Sequence, residues 1–169
     1  NVGDFTLNYL YSYIEDTLKE NDFLEEKEIL PKKPLSNTIN IVTAHGDQSF
    51  STFPAFYAKG ASESFSILNL NRVIGEGKIL IFFVCHSGSM KTDFLRNRIS
   101  TIIRDYLKSG YEAIIAPFWA LDIGIPKYWL PEFLDSLMKG NTIMKAAHDG
   151  NMKVKEKYST PKAYACLHI

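Results

Sequence analysis

Two reactive side chains stand at the ends of two short apolar runs. Residues 39–44 lead into His45 and Gly46, and residues 78–84 lead into Cys85. Both runs are rich in β-branched or aromatic residues, which predicts buried parallel strands that each end in a loop. Because ligands of parallel sheets bind beyond the carboxyl ends of the strands, His45 and Cys85 are expected at one edge of a sheet. A thiol and an imidazole brought together there form a nucleophile with its proton-transfer partner.

Each of these residues has a simpler structural alternative. A cysteine at a strand end exposes its sulfur to a cleft, whereas a lone cysteine is more commonly a small buried hydrophobic residue. His45 can take the proton of Cys85 or protonate a leaving amine, or its ring can simply hydrogen-bond to the backbone. The amides of Gly46 and Cys85 are candidates for an oxyanion hole, and the alternative for Gly46 is an ordinary turn.

A third apolar run, residues 112–117, is followed by Trp119 and Asp122. Both are expected on the edge of the sheet that carries His45 and Cys85, so they are candidates for the pocket that receives a substrate side chain. The alternatives carry equal weight: loop packing for Trp119 and helix capping for Asp122.

Simpler roles are expected for His86, His148 and Cys166, and His86 is predicted to be a structural or rim residue. His86 follows Cys85 directly and would point to the opposite face of a strand. This opposed direction, with no evident fourth ligand, argues against a zinc site built from His45, Cys85 and His86. His148 is expected on the surface of a late helix, and Cys166 in the core.

The order of the predicted elements favours an α/β fold with a mostly parallel sheet. Residues 1–35 form a helical lead-in, with a helix over 4–20, and a solvated linker; residues 36–169 form the α/β domain. A short strand or hairpin is expected at 65–68 and a helical turn at 69–74. The later predictions are a helix from Thr92 or Asp93 to Gly110, a helix over 126–139 ended by Gly140, a helix begun by Asn141 or Thr142, and a strand over 164–169.

Composition narrows the class of protein. The chain has 169 residues, 46% of them hydrophobic, which is enough for one well-packed domain. Nineteen basic residues balance nineteen acidic ones, so charge gives no argument for nucleic acid or a membrane as a partner. Two cysteines are too few for a disulfide framework, which favours the cytoplasm, and no cofactor or metal is predicted. The start at Asn1, without a methionine or a signal pattern, is expected for a domain excised from a longer protein.

The chain resembles the CHAT domain, a caspase-like protease domain often found after tetratricopeptide repeats and related to caspases, separases and gingipains. The resemblance covers residues 36–169 and is carried by Thr43-Ala44-His45-Gly46, by Phe83-Val84-Cys85-His86-Ser87-Gly88 and by residues 109–119, with further similarity at 133–140 and 146–147. Two departures are visible. The segment Val84 to Gly88 replaces the common Ala-Cys-Glu-Thr-Gly, and the strands that usually precede the histidine are not recognisable.

The resemblance implies a caspase-like three-layer α/β/α fold and a cysteine endopeptidase with a His45–Cys85 dyad. It implies an oxyanion hole formed by the amides of Gly46 and Cys85. Trp119 would line the pocket for the residue before the scissile bond, and Asp122 beside it would favour a basic side chain. The implied partners are a protein substrate and upstream TPR-type repeats in the same chain. Relatives act in antiviral defence with an RNA-guided CRISPR effector or cleave bacterial gasdermins, and both settings stay open.

Two other functions remain as alternatives. One is a catalytically inactive caspase-like scaffold, against which the intact His45–Cys85 pair argues. The other is a flavodoxin-like binding domain, in which the turn at Ser87-Gly88-Ser89 would hold a phosphate at the start of a helix.

Overall fold

The computed structural model describes residues 2–21, 23, 37–47, 55–57, 64–66, 74–85 and 106–169 of the chain. These residues form a mixed α/β fold with a four-stranded sheet, a separate three-stranded sheet and several helices. The predicted α/β class is therefore confirmed. Most of the predicted linker after residue 20, the helical turn at 69–74, the turn at 87–89 and the start of the helix after it lie outside the described residues.

The four-stranded sheet positions the candidate site. Its strands are β1 (Ile39–Thr43), β5 (Ile79–Phe83), β6 (Ala113–Pro117) and β7 (Leu167–His168), in the spatial order β1-β5-β6-β7. Strand β5 pairs in parallel with both β1 and β6, and β7 runs antiparallel to β6. All five residues of β5 are buried, as expected for an apolar strand with neighbours on both sides and packing layers on both faces.

The segment that begins at His45 is a strand and not the predicted loop. Strand β2 (His45–Asp47) pairs antiparallel with β3 (Ala55–Tyr57), which pairs with β4 (Ser64–Ser66). The loop prediction was wrong because three residues are too few for a periodic signal, and pairing with β3 decides the conformation. The strand predicted at 65–68 is confirmed in part, since β4 starts one residue earlier and ends at Ser66.

The three longer helices follow their predicted bounds closely, and a short fourth one was not predicted. They are α1 (Val2–Glu20), α2 (Ile125–Met138), α3 (Ile143–Lys155) and α4 (Pro161–Tyr164). Thr142 caps α3, accepting a hydrogen bond from the Lys145 amide at 3.2 Å. Gly110 and Gly140 each follow helical residues, as predicted, and both have a positive φ, of 100° and 80°, the conformation that favours glycine at the end of a helix. Within the described residues no helix has the length and apolar character needed to cross a bilayer.

The predicted final strand was too long. Residues 161–164 form the short helix α4, and the strand is limited to Leu167–His168. Proline is well suited to the first turn of a helix, because its fixed φ is helical and its missing N–H is not needed there. The Ala165 amide closes the turn by donating to the Pro161 carbonyl at 2.9 Å.

The two faces of the main sheet support two apolar clusters. Ile79, Ile81 and Phe83 of β5 belong to the larger cluster, which includes the buried residues of α2 and α3 together with Leu10 and Ile14 of α1. The alternate β5 residue Leu80, with Phe82 and Val84, belongs to a smaller cluster containing Tyr106 and Tyr111. Successive side chains of β5 point to opposite faces of the sheet, and each face is covered by one of the two clusters, so the whole strand is buried.

Candidate functional site

The register of β1 and β5 brings the backbones of His45 and Cys85 to the same edge of the sheet. The two parallel strands pair from Ile39 with Ile79 through to Thr43 with Phe83. His45 and Cys85 each lie two positions beyond that last pair, at the carboxyl ends of neighbouring strands. Paired strands lie about 4.8 Å apart, so the backbones leave the sheet side by side. The sequence predicted this placement from the strand ends alone.

Cys85 lies where burial gives way to partial exposure. Val84 is fully buried, whereas Cys85 is half-buried and carries a free thiol. Its Sγ lies 3.9 Å from the carbonyl oxygen of Leu121, which is within hydrogen-bonding range for a sulfur donor. Cys85 is therefore exposed in part, and its sulfur contacts the loop that follows β6.

Gly46 is the second residue of β2 and is in register with Phe56 of β3. Antiparallel pairing thus fixes its backbone immediately after His45. The role of the Gly46 and Cys85 amides as oxyanion donors stays a prediction.

Trp119 lies just beyond β6 in an aromatic group. Its indole N–H donates to the carbonyl of Lys162. Its ring lies 5.9 Å from the ring of His168, and the His168 ring lies 4.3 Å from that of Phe118. Trp119 is half-buried, and it is fixed by the hydrogen bond to Lys162 and by the ring of His168. These contacts agree equally well with ordinary loop packing and with a rigid wall of a pocket.

Asp122 lies in the turn that precedes α2, and its carboxylate closes that turn. Its Oδ1 accepts hydrogen bonds from the Gly124 amide at 2.8 Å and from the Tyr158 hydroxyl at 3.2 Å. Its own carbonyl accepts from the Ile125 amide at 3.0 Å. The residue is exposed, so its carboxylate can still meet solvent or a charged group. Its hydrogen bonds stabilise a turn and do not cap the helix, because the N-cap of α2 is Gly124, which has no side-chain cap.

Cys166 is completely buried, as predicted, and belongs to the larger apolar cluster. Cys166 lies next to the end of β6, because the residue after it, Leu167, pairs with Pro117. Burial, and to a smaller extent the negative charge that Cys85 can develop, raise the pKa of the Cys166 thiol to about 12. Cys166 therefore stays a neutral thiol at physiological pH, unlike a nucleophile.

Two features of the site were not found by sequence reasoning. The Leu121 carbonyl is a backbone group, and Tyr158 is one of nine tyrosines with no distinguishing motif around it. His168 is a third such feature, although its Nε2 is buried and has no hydrogen-bond partner among the described residues.

His148 is exposed on α3, as predicted. His86 and residues 87–89 lie outside the described part of the chain, as does the side chain of His45.

Among the described residues, no three histidine, cysteine, aspartate or glutamate side chains are grouped as a metal site would require. Neither a protein-family model nor a curated protein matches this chain.

Proposed function

We propose that this chain is a cysteine endopeptidase in which Cys85 is the nucleophile and His45 transfers protons. The observation that carries the proposal is the β1–β5 register. Thr43 of β1 pairs with Phe83 of β5, and His45 and Cys85 each follow two residues after that pair. The partial exposure of Cys85 next to the fully buried Val84 also supports it, because a nucleophile must meet its substrate.

The proposed reaction has two steps. The sulfur of Cys85 attacks a peptide carbonyl, and the C–N bond breaks as His45 protonates the departing amine. Water then attacks the thioester, which releases the carboxylic acid and restores the thiol. The amides of Gly46 and Cys85 would stabilise the oxyanion in both steps.

The proposal includes the resemblance to the CHAT domain, and with it a caspase-like three-layer arrangement. Under this proposal the protein acts in the cytoplasm. Its partners would be a protein substrate, upstream TPR-type repeats in the same chain and an activator such as an RNA-guided CRISPR effector. Trp119 would form the wall of the pocket for the residue before the scissile bond. Asp122, exposed at the rim, would favour a basic residue there, even though its carboxylate already accepts two hydrogen bonds.

The test is covalent capture by peptides that carry an electrophilic ketone, with a basic or a neutral residue before the warhead. Mass spectrometry should locate the adduct on Cys85, and both Cys85→Ala and His45→Ala should abolish it. The chain supplies matched controls: Cys166→Ala removes the other cysteine, and His148→Ala removes an exposed histidine on α3. Both controls should retain capture.

The outcomes separate the alternatives. Capture that survives in His45→Ala would refute the proposed His45–Cys85 dyad and indicate a reactive thiol without a catalytic partner. Failure of every probe, also in the presence of the activator, would favour the inactive scaffold. Tight nucleotide binding by a chain whose Cys85 does not react would favour the flavodoxin-like alternative.

A further inference from the structure

The loop from Phe118 to Gly124, here the 118–124 loop, links the candidate nucleophile to a distant part of the chain. In its middle, the Leu121 carbonyl meets the Cys85 sulfur at 3.9 Å. Toward its start, the Trp119 indole N–H donates to the Lys162 carbonyl. Near its end, the Tyr158 hydroxyl donates to Asp122. The groups that make these last two hydrogen bonds, here the anchors of the loop, therefore lie in residues 158–162, which span the α3–α4 connection and the first turn of α4.

The Tyr158 anchor is fitted closely to the loop. Asp122 Oδ1 accepts from the Gly124 amide at 2.8 Å and from the Tyr158 hydroxyl at 3.2 Å, so one oxygen joins the loop's own turn to the anchor. A Cβ at Gly124 would lie 2.3 Å from the Tyr158 hydroxyl oxygen. Any larger residue at position 124 would displace the Tyr158 hydroxyl from its present position. The hydrogen bond to Asp122 therefore depends on both Tyr158 and Gly124.

Tyr158 is suited to remain a donor. Partial burial raises its pKa, and the negative charge of Asp122 raises it further. The phenol therefore stays protonated through the neutral range and into mild alkali, and the hydrogen bond persists where cysteine chemistry operates.

We propose that Tyr158 is a positioning residue for Cys85: by holding Asp122, it keeps the 118–124 loop and the Leu121 carbonyl against the sulfur. This inference rests on the proposed function, since it concerns how the proposed nucleophile is covered at rest. With the anchor in place, the Leu121 carbonyl occupies one side of the thiol. Movement of residues 158–162 releases the loop and opens that side to a substrate.

The experiment measures the rate at which iodoacetamide alkylates Cys85, read from the Cys85 peptide by mass spectrometry. Tyr158→Phe removes only the hydroxyl and should raise the rate about twofold to tenfold, the range expected when one hydrogen bond no longer favours the closed loop. Asp122→Ala should raise it similarly. The double variant should be no faster than the faster single one, because both remove the same contact.

Tyr164→Phe is the matched control. Tyr164 is a half-buried tyrosine on α4, and the variant keeps the ring that Lys155 Nζ approaches at 5.4 Å. Its Cys85 rate should equal that of the unmodified chain. Cys166 serves as an internal control for the fold, because it is fully buried and reacts only when the core opens.

An unchanged Cys85 rate in Tyr158→Phe would overturn the inference. A parallel rise at Cys166 would also overturn it, because the hydroxyl would then stabilise the whole fold and not position the loop. Peptide capture tests the function separately. Faster alkylation without capture by any peptide probe, also in the presence of the activator, supports the covering loop and refutes the peptidase. Capture with unchanged alkylation supports the peptidase and refutes the covering loop.

Discussion

Gly150 on α3 lies directly against Trp129 on α2, and alanine at this position should destabilise the fold. A Cβ there would lie 2.7 Å from Trp129 Nε1 and 2.8 Å from Cδ1, distances that require something to move. The indole has little freedom to do so. It is fully buried, stacks on Phe133 at 4.5 Å between ring centroids, and meets Phe83 edge-on at 6.2 Å.

Two opposing effects set the magnitude. Alanine favours a helix over glycine by about 1 kcal/mol. Overpacking of a rigid core costs about 1–3 kcal/mol, and the upper part of that range applies because the obstacle is a fixed ring and not a flexible chain end. The expected net loss is about 1–2 kcal/mol in the free energy of unfolding. For a chain of this length, that loss corresponds to a Tm lowered by about 3–6 °C.

The disturbance also reaches the edge of the sheet. Trp129 Nε1 donates to Asn151 Oδ1 at 3.0 Å, and Asn151 Nδ2 donates to the Leu167 carbonyl at 3.2 Å. Leu167 belongs to β7, which pairs with β6 beside the candidate site. A displaced indole therefore weakens the hydrogen bond that fixes β7 to α3.

Urea unfolding followed by circular dichroism measures this loss. His148→Ala, an exposed change two residues earlier on α3, should alter the free energy by less than about 0.5 kcal/mol. Trp129→Phe removes the crowded indole atoms, so the double variant should lose less stability than the sum of the two single changes. If Gly150→Ala matched or exceeded the stability of the unmodified chain, the indole would have room to shift, and the reasoning would fail.

Three further changes test the core and the helix starts by urea unfolding. Burial raises the pKa of Cys166 from 9.0 to about 12, so above pH 9 only the unfolded chain loses this proton and stability falls toward pH 12. The contribution of Cys166 to the slope approaches ~1.4 kcal/mol per pH unit. Cys166→Ala should remove that contribution and leave the one that comes from Tyr106 and Tyr111, whose pKa values burial also raises. Equal slopes in the two chains would contradict the assignment. Tyr111→Phe removes a hydroxyl that accepts from Asn40 Nδ2 at 2.6 Å and donates to the Gly75 carbonyl at 2.9 Å, so a loss of about 1–3 kcal/mol is expected, and no loss would mean that water replaces it. Thr142→Ala removes the cap of α3 and should cost about 1 kcal/mol, whereas Thr142→Ser should retain most of it.

The elements with strong periodic or compositional signals were predictable from the sequence. The β-branched runs of β5 and β6 and the apolar spacing of α1 gave bounds within a few residues of the observed ones. Gly110 and Gly140 were correctly placed after helical residues, because few other residues adopt a positive φ. These features depend on local preferences, which a single sequence contains.

The contacts that define the site depend on tertiary structure and were not predictable. The Leu121 carbonyl belongs to the backbone, so no residue type marks it. Tyr158 lies 36 positions from Asp122, and only the packing of the α3–α4 connection against the 118–124 loop joins them. Strand β2 was missed for the same reason, since its partner β3 decides its conformation and lies eight or more residues away.

The two cysteines show that packing, and not position at a strand end, decides whether a thiol is exposed. Both lie at an end of an apolar run, so sequence position alone hardly distinguishes them. Cys85 follows β5 past the carboxyl edge of the sheet and is partly exposed. Cys166 precedes β7, and because β7 runs antiparallel to β6 it lies at that same edge. It is nevertheless fully buried, because it belongs to the apolar cluster formed with α2 and α3, whereas Cys85 belongs to neither cluster. The side chains packed around each thiol therefore decide which of the two can meet solvent.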